Sequence, residues 1–157
     1  MSFTPEEVLA LVPQQRPFRF IDRLVEIDEQ HAVGEYTFRH DESFYEGHFP
    51  GKPVTPGVIL LETMCQTGVV ALGIYILGLE APREEVIRTV TLFTEAQVEF
   101  ERVVRPGETI RVEAEKVFWR RRKLKSNVKL FLLAHGGTEK TLVAHGTVAG
   151  MGVRREH

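Results

Sequence analysis

Residues 58–79 read VILLETMCQTGVVALGIYILGL and are almost entirely apolar. The run is about as long as a helix that crosses a bilayer. It contains Glu62 and Gln66, however, and no cluster of Lys or Arg flanks its ends. A helix that is apolar on nearly every side is buried on nearly every side. The run therefore predicts one long helix in the core of a soluble protein.

The flanking sequence predicts what covers this helix. Before it we expect a short helix and two strands, at residues 4–11, 18–27 and 32–38. After it, alternating apolar and polar residues predict three or four long antiparallel strands, with turns at residues 106–107 and 136–137. One curved antiparallel sheet could wrap the helix, so we predict an α+β fold in which residues 1–157 form a single domain. The open edge of such a sheet favours pairing with a second copy of the chain.

The composition narrows the class of protein. Hydrophobic residues make up 43% and charged residues 27% of the 157 residues, as in soluble globular domains. The formal net charge of −2 disfavours general nucleic-acid binding. Cys65 is the single cysteine and cannot form an internal disulfide. The first residues lack the basic and apolar regions of a signal peptide. We therefore expect a cytoplasmic protein that binds neither nucleic acid nor a membrane.

The segment 47–66 carries the residues with the most chemistry and reads GHFPGKPVTPGVILLETMCQ. His48 lies in a loop stiffened by three prolines, and its imidazole can take or give a proton near neutral pH. Glu62 lies in the second turn of the apolar helix, where burial raises the pKa of a carboxyl and favours the proton-donating form. The N–H groups of Gly57 and Val58, at the helix start, suit a developing negative oxygen. These groups predict a base, an acid and an oxyanion site for chemistry next to a carbonyl.

Each of these residues also has a simpler interpretation. A histidine in a loop is often structural or exposed to solvent. Glu62 could form a hydrogen bond with Gln66, which lies one turn further on the same helix face. The run of prolines and glycines could be only a rigid turn. Residue types alone leave the catalytic and the structural interpretation open.

The order and spacing of the segment resemble the β-hydroxyacyl-(acyl-carrier-protein) dehydratases of fatty-acid synthesis, the FabZ/FabA type with a hotdog fold. The family pattern is Gly-His-Phe-Pro, two residues, Pro, two residues, Pro-Gly-Val, three residues, Glu, three residues and Gln. The segment 47–66 fills every position of this pattern. Weaker resemblance extends to both sides, at Pro13, Pro17-Phe18, Ile21-Asp22-Arg23, Phe100, Arg102 and Pro106-Gly107.

The resemblance implies a role for each matched residue. His48 matches the catalytic histidine and Glu62 the catalytic carboxylate, whose being Glu resembles the FabZ branch. In such enzymes the histidine of one subunit faces the carboxylate of the other, so a homodimer with a shared active site is implied, and a hexamer is compatible with it. The residues implied in binding the thioester and the acyl chain are Gly57, Val58, Phe49 and Gln66.

The resemblance also implies the reaction. The substrate would be a (3R)-3-hydroxyacyl thioester on the phosphopantetheine arm of acyl carrier protein, and the products a trans-2-enoyl thioester and water. No cofactor is implied. The histidines show no metal-ligand spacing and no glycine-rich phosphate loop follows a strand, so we expect neither a metal nor a nucleotide.

A basic stretch offers a second feature with two interpretations. Arg120, Arg121, Arg122 and Lys123 follow one another without an acidic residue. Carrier proteins are acidic, and a basic surface would steer one to the active site. The alternative is a solvated hairpin turn, and the two interpretations stay open.

Two other functions remain open at this stage. An acyl-thioester hydrolase can place a carboxylate near a central helix, and an acyl-thioester-binding module would need no catalytic pair. The chain also departs from the family pattern at Gln14, Gln15, Arg16, Thr55 and 94–96, where the family usually has other residues. These departures leave the acyl chain length and the pathway open, with a polyketide or polyene pathway as one alternative.

Overall fold

A computed structural model describes residues 2–135 and 139–155. Its strands are β1 (Arg23–Ile27), β2 (His31–Thr37), β3 (Thr89–Phe100), β4 (Thr109–Arg120), β5 (Lys123–Leu133) and β6 (Lys140–Arg154). These six strands form one antiparallel sheet in the order β1-β2-β4-β5-β6-β3. The predicted α+β class, with a long central helix against an antiparallel sheet, is confirmed.

The predicted core helix is present. Its three segments are α2 (Gly57–Cys65), a π-helical segment (Gln66–Ala71) and α3 (Leu72–Glu80). Pro56 lies directly before its first residue, and Pro82 follows shortly after its end, where a proline cannot extend a helix. Among the described residues it is the one helix long and apolar enough to cross a bilayer. Of its most apolar stretch of 18 residues, 72% is buried inside the protein.

Two apolar layers explain why this helix is apolar on nearly every side. One face packs on the sheet, where Met64 shares a core with Leu130. The opposite face packs on the N-terminal helix α1 (Pro5–Leu11), where Ile74 shares a second core with Val8. Each fully buried aliphatic side chain stabilises the fold by about 1.5–3 kcal/mol. The helix therefore holds the two layers together and gives the residues it carries a rigid support.

The strand predicted over residues 18–27 is too long. β1 begins at Arg23, and a buried side chain binds the backbone at residues 18 and 20. The Gln66 amide oxygen accepts from the Phe20 N–H at 2.7 Å, and its nitrogen donates to the Phe18 carbonyl at 2.8 Å. The Phe20 N–H that binds Gln66 is not available to a neighbouring strand.

The other predicted elements show smaller differences. The first helix is confirmed, and Thr4 caps it through a reciprocal pair of hydrogen bonds with Glu7. A short helix, α4 (Arg83–Ile87), was not predicted. The predicted turn at 106–107 is present, with Gly107 at a φ of 85°. The turn predicted at Gly136-Gly137 lies outside the described residues.

Candidate active site

The loop that carries His48 is fastened to the fold on both sides of the prolines. The Thr55 N–H donates to the Val104 carbonyl at 2.8 Å, and the Thr55 hydroxyl lies 2.6 Å from the Tyr45 hydroxyl. Burial raises the pKa of Tyr45 to about 12, so its hydroxyl stays protonated at neutral pH. The Val54 N–H donates to the His48 carbonyl at 2.9 Å. These bonds hold the histidine on a rigid support.

The ring of His48 is fixed by its neighbours. Its Nδ1 lies 2.9 Å from the Val54 carbonyl oxygen. Because a carbonyl can only accept, this bond places the hydrogen on Nδ1 and leaves the lone pair on Nε2. The ring stacks on Phe49, with the centroids 4.1 Å apart and an angle of 25° between the planes. The ring of His48 is therefore held in one orientation, with Nε2 as the nitrogen that is free to meet a substrate.

Glu62 is oriented by a residue one turn further along the helix. The Gln66 amide nitrogen donates to Glu62 Oε2 at 2.9 Å, and Gln66 itself is fully buried. Burial raises the pKa of the Glu62 carboxyl, and the bond from Gln66 offsets only part of that rise. Because Oε2 accepts from Gln66, a carboxyl proton belongs on Oε1. The raised pKa shifts Glu62 towards its proton-donating form, with Oε1 as the atom that would carry the proton.

The start of the central helix presents two backbone donors. The N–H groups of Ile59 and Leu60 both donate to the Pro56 carbonyl, at 2.9 and 3.2 Å. Within residues 2–135 and 139–155, nothing accepts from the N–H groups of Gly57 and Val58. This is the arrangement that can hold an oxyanion.

The surroundings of the helix start are apolar and open. The Phe100 ring lies beside Gly57, where an added Cβ would meet it at 3.7 Å. Val58 is 72% exposed and Phe49 is 55% exposed. Such exposure of large apolar side chains marks a surface that meets a ligand or another chain.

A small cavity adjoins Glu62 and is called the active-site cavity below. Its volume is about 30 Å³. The residues that line it are Gln14, Glu62, Cys65, Val69, Val70, Thr91, Phe93 and Gly150. Burial, with a smaller contribution from Glu62, raises the pKa of the Cys65 thiol, so this cysteine is a packing residue rather than a nucleophile.

No direct bond joins the two candidate proton-transfer groups within the single chain. Across the described part of the chain, no hydrogen bond or ion pair joins His48 to Glu62. The two groups belong to different elements, a loop before the helix and the second turn of the helix itself. The candidate base and the candidate acid are each oriented, but separately.

The basic stretch forms the tip of the β4–β5 hairpin. Arg121 and Arg122 have φ values of 52° and 62°, as a two-residue hairpin turn with right-handed twist requires. Arg122 pairs with Glu85 at 2.9 Å, and Lys123 lies 3.8 Å from Glu95. The Arg120 guanidinium lies 5.8 Å from the centre of the Phe118 ring. Both sequence interpretations, a docking surface and a hairpin turn, are compatible with this position.

Metal chemistry finds no support in the side-chain clusters. In the part of the chain that the structure describes, no group of three or more His, Cys, Asp or Glu residues could hold a metal ion. The absence of a metal and of a cofactor stays a prediction.

Sequence reasoning missed two contributors to the site. Val54 acts through its backbone carbonyl, which leaves no signature in the residue type. Gln14 was noted only as a departure from the family pattern, yet it lines the active-site cavity. Thr55, another departure, has a clear role because its hydroxyl bonds to Tyr45 under the histidine loop.

Comparison with known proteins establishes the family. The model of the FabA-like domain matches residues 12–139, which is most of the chain. The chain therefore belongs to the FabA-like family, as the motif from residue 47 to residue 66 predicts.

Curated relatives narrow the similarity to one branch. The chain is 40% identical over 111 residues to the 3-hydroxyacyl-(acyl-carrier-protein) dehydratase FabZ of Chloroflexus aggregans, covering 70% of this chain and 72% of that one. It is 35% identical over 152 residues to the FabZ of Bartonella quintana, covering 96% of this chain and 90% of that one. A third FabZ, from Herpetosiphon aurantiacus, is 35% identical over 140 residues, with 85% and 94% covered.

Solved structures share the fold at low sequence identity. The dehydratase heterocomplex ApeI:P of Xenorhabdus doucetiae superposes with a TM-score of 0.71 at 12% identity, over 95% of this chain and 91% of that one. A thioesterase of Haemophilus influenzae superposes with a TM-score of 0.65 at 13% identity, over 100% and 95%. Together with the family match, these likenesses confirm the predicted hotdog fold.

Proposed function

We propose that this chain is a dehydratase that converts (3R)-3-hydroxyacyl thioesters, carried on acyl carrier protein, to trans-2-enoyl thioesters and water. The FabZ relatives support this activity through their names and the extent of the match. The observation that carries it is the pair of oriented groups. The Nδ1 of His48 bonds to the Val54 carbonyl and leaves Nε2 to face a substrate, while burial raises the pKa of the Glu62 carboxyl towards the proton-donating form. Elimination of water next to a carbonyl needs one base and one acid of this kind.

The reaction follows from these two groups. Nε2 of His48 removes a proton from the carbon next to the thioester carbonyl. The N–H groups of Gly57 and Val58 stabilise the negative charge that develops on the carbonyl oxygen. Oε1 of Glu62 gives its proton to the hydroxyl at the third carbon. The bond from that carbon to oxygen breaks, its electrons stay on oxygen, and water leaves as the double bond forms.

The complete site is proposed to need two copies of the chain. No hydrogen bond or ion pair joins His48 to Glu62 in the described chain, so a second copy would supply the missing partner. β3 forms one edge of the sheet, and its Leu92 and Phe93 are 54% and 46% exposed. An edge strand with apolar side chains is a ready surface for pairing. We therefore propose a homodimer whose two active sites each use His48 of one subunit and Glu62 of the other, with a hexamer as a further assembly.

The remaining elements of the proposal concern recognition and location. The basic hairpin tip, residues 120–123, would dock the acidic carrier protein near the active site. Phe49 and Gln66 would complete the binding site, Phe49 beneath the histidine and Gln66 behind the acid. No metal or cofactor takes part. The protein would act in the cytoplasm, without nucleic acid or a membrane, in fatty-acid synthesis or a related polyketide or polyene pathway.

The experiment measures the products formed from 3-hydroxyacyl thioesters of acyl carrier protein by mass spectrometry. Loss of one water by the wild type, with His48→Ala and Glu62→Ala each at least about 1,000-fold slower, is the expected result. His31→Ala is the matched control, because this histidine lies on the outer surface of the sheet and contacts Glu115. Release of free acid would instead indicate a hydrolase. Binding without any reaction would indicate an acyl-thioester-binding module.

A further inference from the structure

One buried polar atom lacks a partner, and it lies beside the candidate acid. Among the side chains that the structure describes, Gln14 Oε1 is the buried oxygen or nitrogen atom with no hydrogen bond. Gln14 lines the active-site cavity together with Glu62. A buried acceptor that bonds to nothing is costly, so its presence requires an explanation.

The cavity has the size and the chemistry to hold one water molecule. Its volume is about 30 Å³, and a cavity needs only about 10–15 Å³ to hold a water. A buried water typically makes about three hydrogen bonds to polar groups. Three polar residues line this cavity, namely Gln14, Glu62 and Thr91. The remainder of the lining is mostly apolar.

Donors and acceptors in the cavity are complementary. Oε2 of Glu62 is occupied by Gln66, so the Oε1 hydroxyl is the donor that remains. Gln14 Oε1 is an acceptor and cannot give a proton. A hydroxyl or water between the two would accept from Glu62 and donate to Gln14. This is the hydrogen-bonding pattern of an oxygen that is being protonated and expelled.

We propose that Gln14 accepts a hydrogen bond from the hydroxyl group that leaves the substrate, so that the active-site cavity is the site where the water product is held. The inference deepens the proposed function and rests on it. In the reaction, Glu62 gives its Oε1 proton to the hydroxyl and the carbon–oxygen bond breaks. The resulting water donates a hydrogen bond to Gln14 Oε1. Gln14 neither gains nor loses a proton. Its contribution is to hold the leaving oxygen in line with the acid.

The test compares Gln14→Leu and Gln14→Met with the wild type. Both substitutions remove the acceptor while keeping a side chain of similar length. We expect kcat to fall about tenfold, the effect of one lost hydrogen bond, with KM within about twofold. We also expect the melting temperature to change little, because the Oε1 acceptor bonds to no other part of the described protein. Gln15→Leu is the matched control, since the neighbouring Gln15 is exposed and bonds to the Val12 carbonyl.

Loss of activity together with loss of stability would assign Gln14 a structural role and overturn the inference. Unchanged kcat in both variants would also overturn it. A crystal structure of the wild type gives a second readout that needs no turnover. Electron density for a water within hydrogen-bonding distance of Gln14 Oε1 and Glu62, absent in Gln14→Leu, supports the inference even if the proposed reaction is not observed. An empty wild-type cavity overturns it.

Discussion

His48 and Glu62 are prepared by different kinds of surroundings. The ring orientation of His48 depends on hydrogen-bond direction, because the Val54 carbonyl can only accept from Nδ1. The raised pKa of Glu62 depends on burial, because the low-polarity surroundings disfavour its charged form. A substitution that changes the polarity around Glu62 would therefore change the pKa of its carboxyl and leave the hydrogen bond that orients His48 in place.

The raised pKa of Glu62 makes stability depend on pH with a defined sign. A carboxyl whose pKa is higher in the folded state stabilises the protein fully when the pH is below 4.5, the ordinary pKa of the group. That contribution is lost as the pH rises through the folded pKa. Glu62→Gln keeps a neutral group at every pH and can still accept from Gln66. We expect this variant to unfold at higher denaturant concentration than the wild type at pH 7, with the difference vanishing near pH 4.

A carboxylate with the opposite shift provides the control for this measurement. Burial raises the pKa of Glu113, but hydrogen bonds from Lys140 and Arg111 outweigh it and lower the pKa. Glu113→Gln should therefore lose stability at neutral pH relative to the wild type. If Glu62→Gln behaved like Glu113→Gln, the burial of the Glu62 carboxyl would not be the dominant influence.

At the scale of elements, the third segment of the central helix contains a glycine that nothing in the packing requires. A Cβ on Gly73 would lie 3.8 Å from Leu124 and 3.9 Å from Thr91, which is ordinary contact. By contrast, a Cβ on Gly68 would lie 2.9 Å from Val128. Glycine inside a helix costs about 1 kcal/mol relative to alanine. The structure therefore points to a need for space at Gly73.

That space is a second cavity further along the helix. It has a volume of about 20 Å³ and shares Val69, Thr91 and Gly150 with the active-site cavity. We expect Gly73→Ala to raise the free energy of unfolding by about 1 kcal/mol and to shift the substrate preference towards shorter acyl chains. Rates for hydroxyacyl thioesters of four to sixteen carbons, together with denaturant unfolding, check both expectations.

The control for Gly73→Ala is Leu79→Ala, on the same helix segment but 43% exposed and away from both cavities. Its chain-length profile should match that of the wild type. An unchanged profile in Gly73→Ala, with the expected gain in stability, would show that the second cavity does not receive the acyl chain.

At the scale of the whole molecule, the sheet ends in a long edge strand on the side of β3. Every other strand after the central helix is paired on both sides, whereas β3 pairs only with β6 among the described residues. Leu92, the fourth residue of this strand of 12, is more than half exposed. A free edge of this length with apolar side chains is prone to associate, and the proposed dimer would use it.

Leu92→Glu tests this surface. A charge placed on the edge should weaken association, so sedimentation should detect a smaller species, and activity should fall because each site needs two chains. Val117→Glu is the control, since Val117 is 48% exposed on β4, away from the edge. A Leu92→Glu protein that kept the wild-type mass and turnover would place the interface elsewhere.

The sequence alone predicted a large part of the fold and of the site. The long apolar run predicted a buried helix, because so much apolar surface has to be covered. The prolines and glycines around His48 predicted a rigid loop, and the position of Glu62 predicted its raised pKa. These features depend on neighbours within a few residues or on the composition of the whole run, so they can be predicted from the sequence without knowledge of the fold.

The tertiary structure decided what depends on contacts between distant segments. Gln66 bonds to backbone 46 and 48 residues away, at the start of the predicted first strand. Gln14 became significant only when the fold placed it in the cavity beside Glu62. The choice between backbone pairing and side-chain bonding at residues 18–20 has no local signal, since the competing partners are assembled only by folding. The residue types therefore determine which chemical groups are available, whereas the tertiary packing determines which of their atoms can meet a substrate.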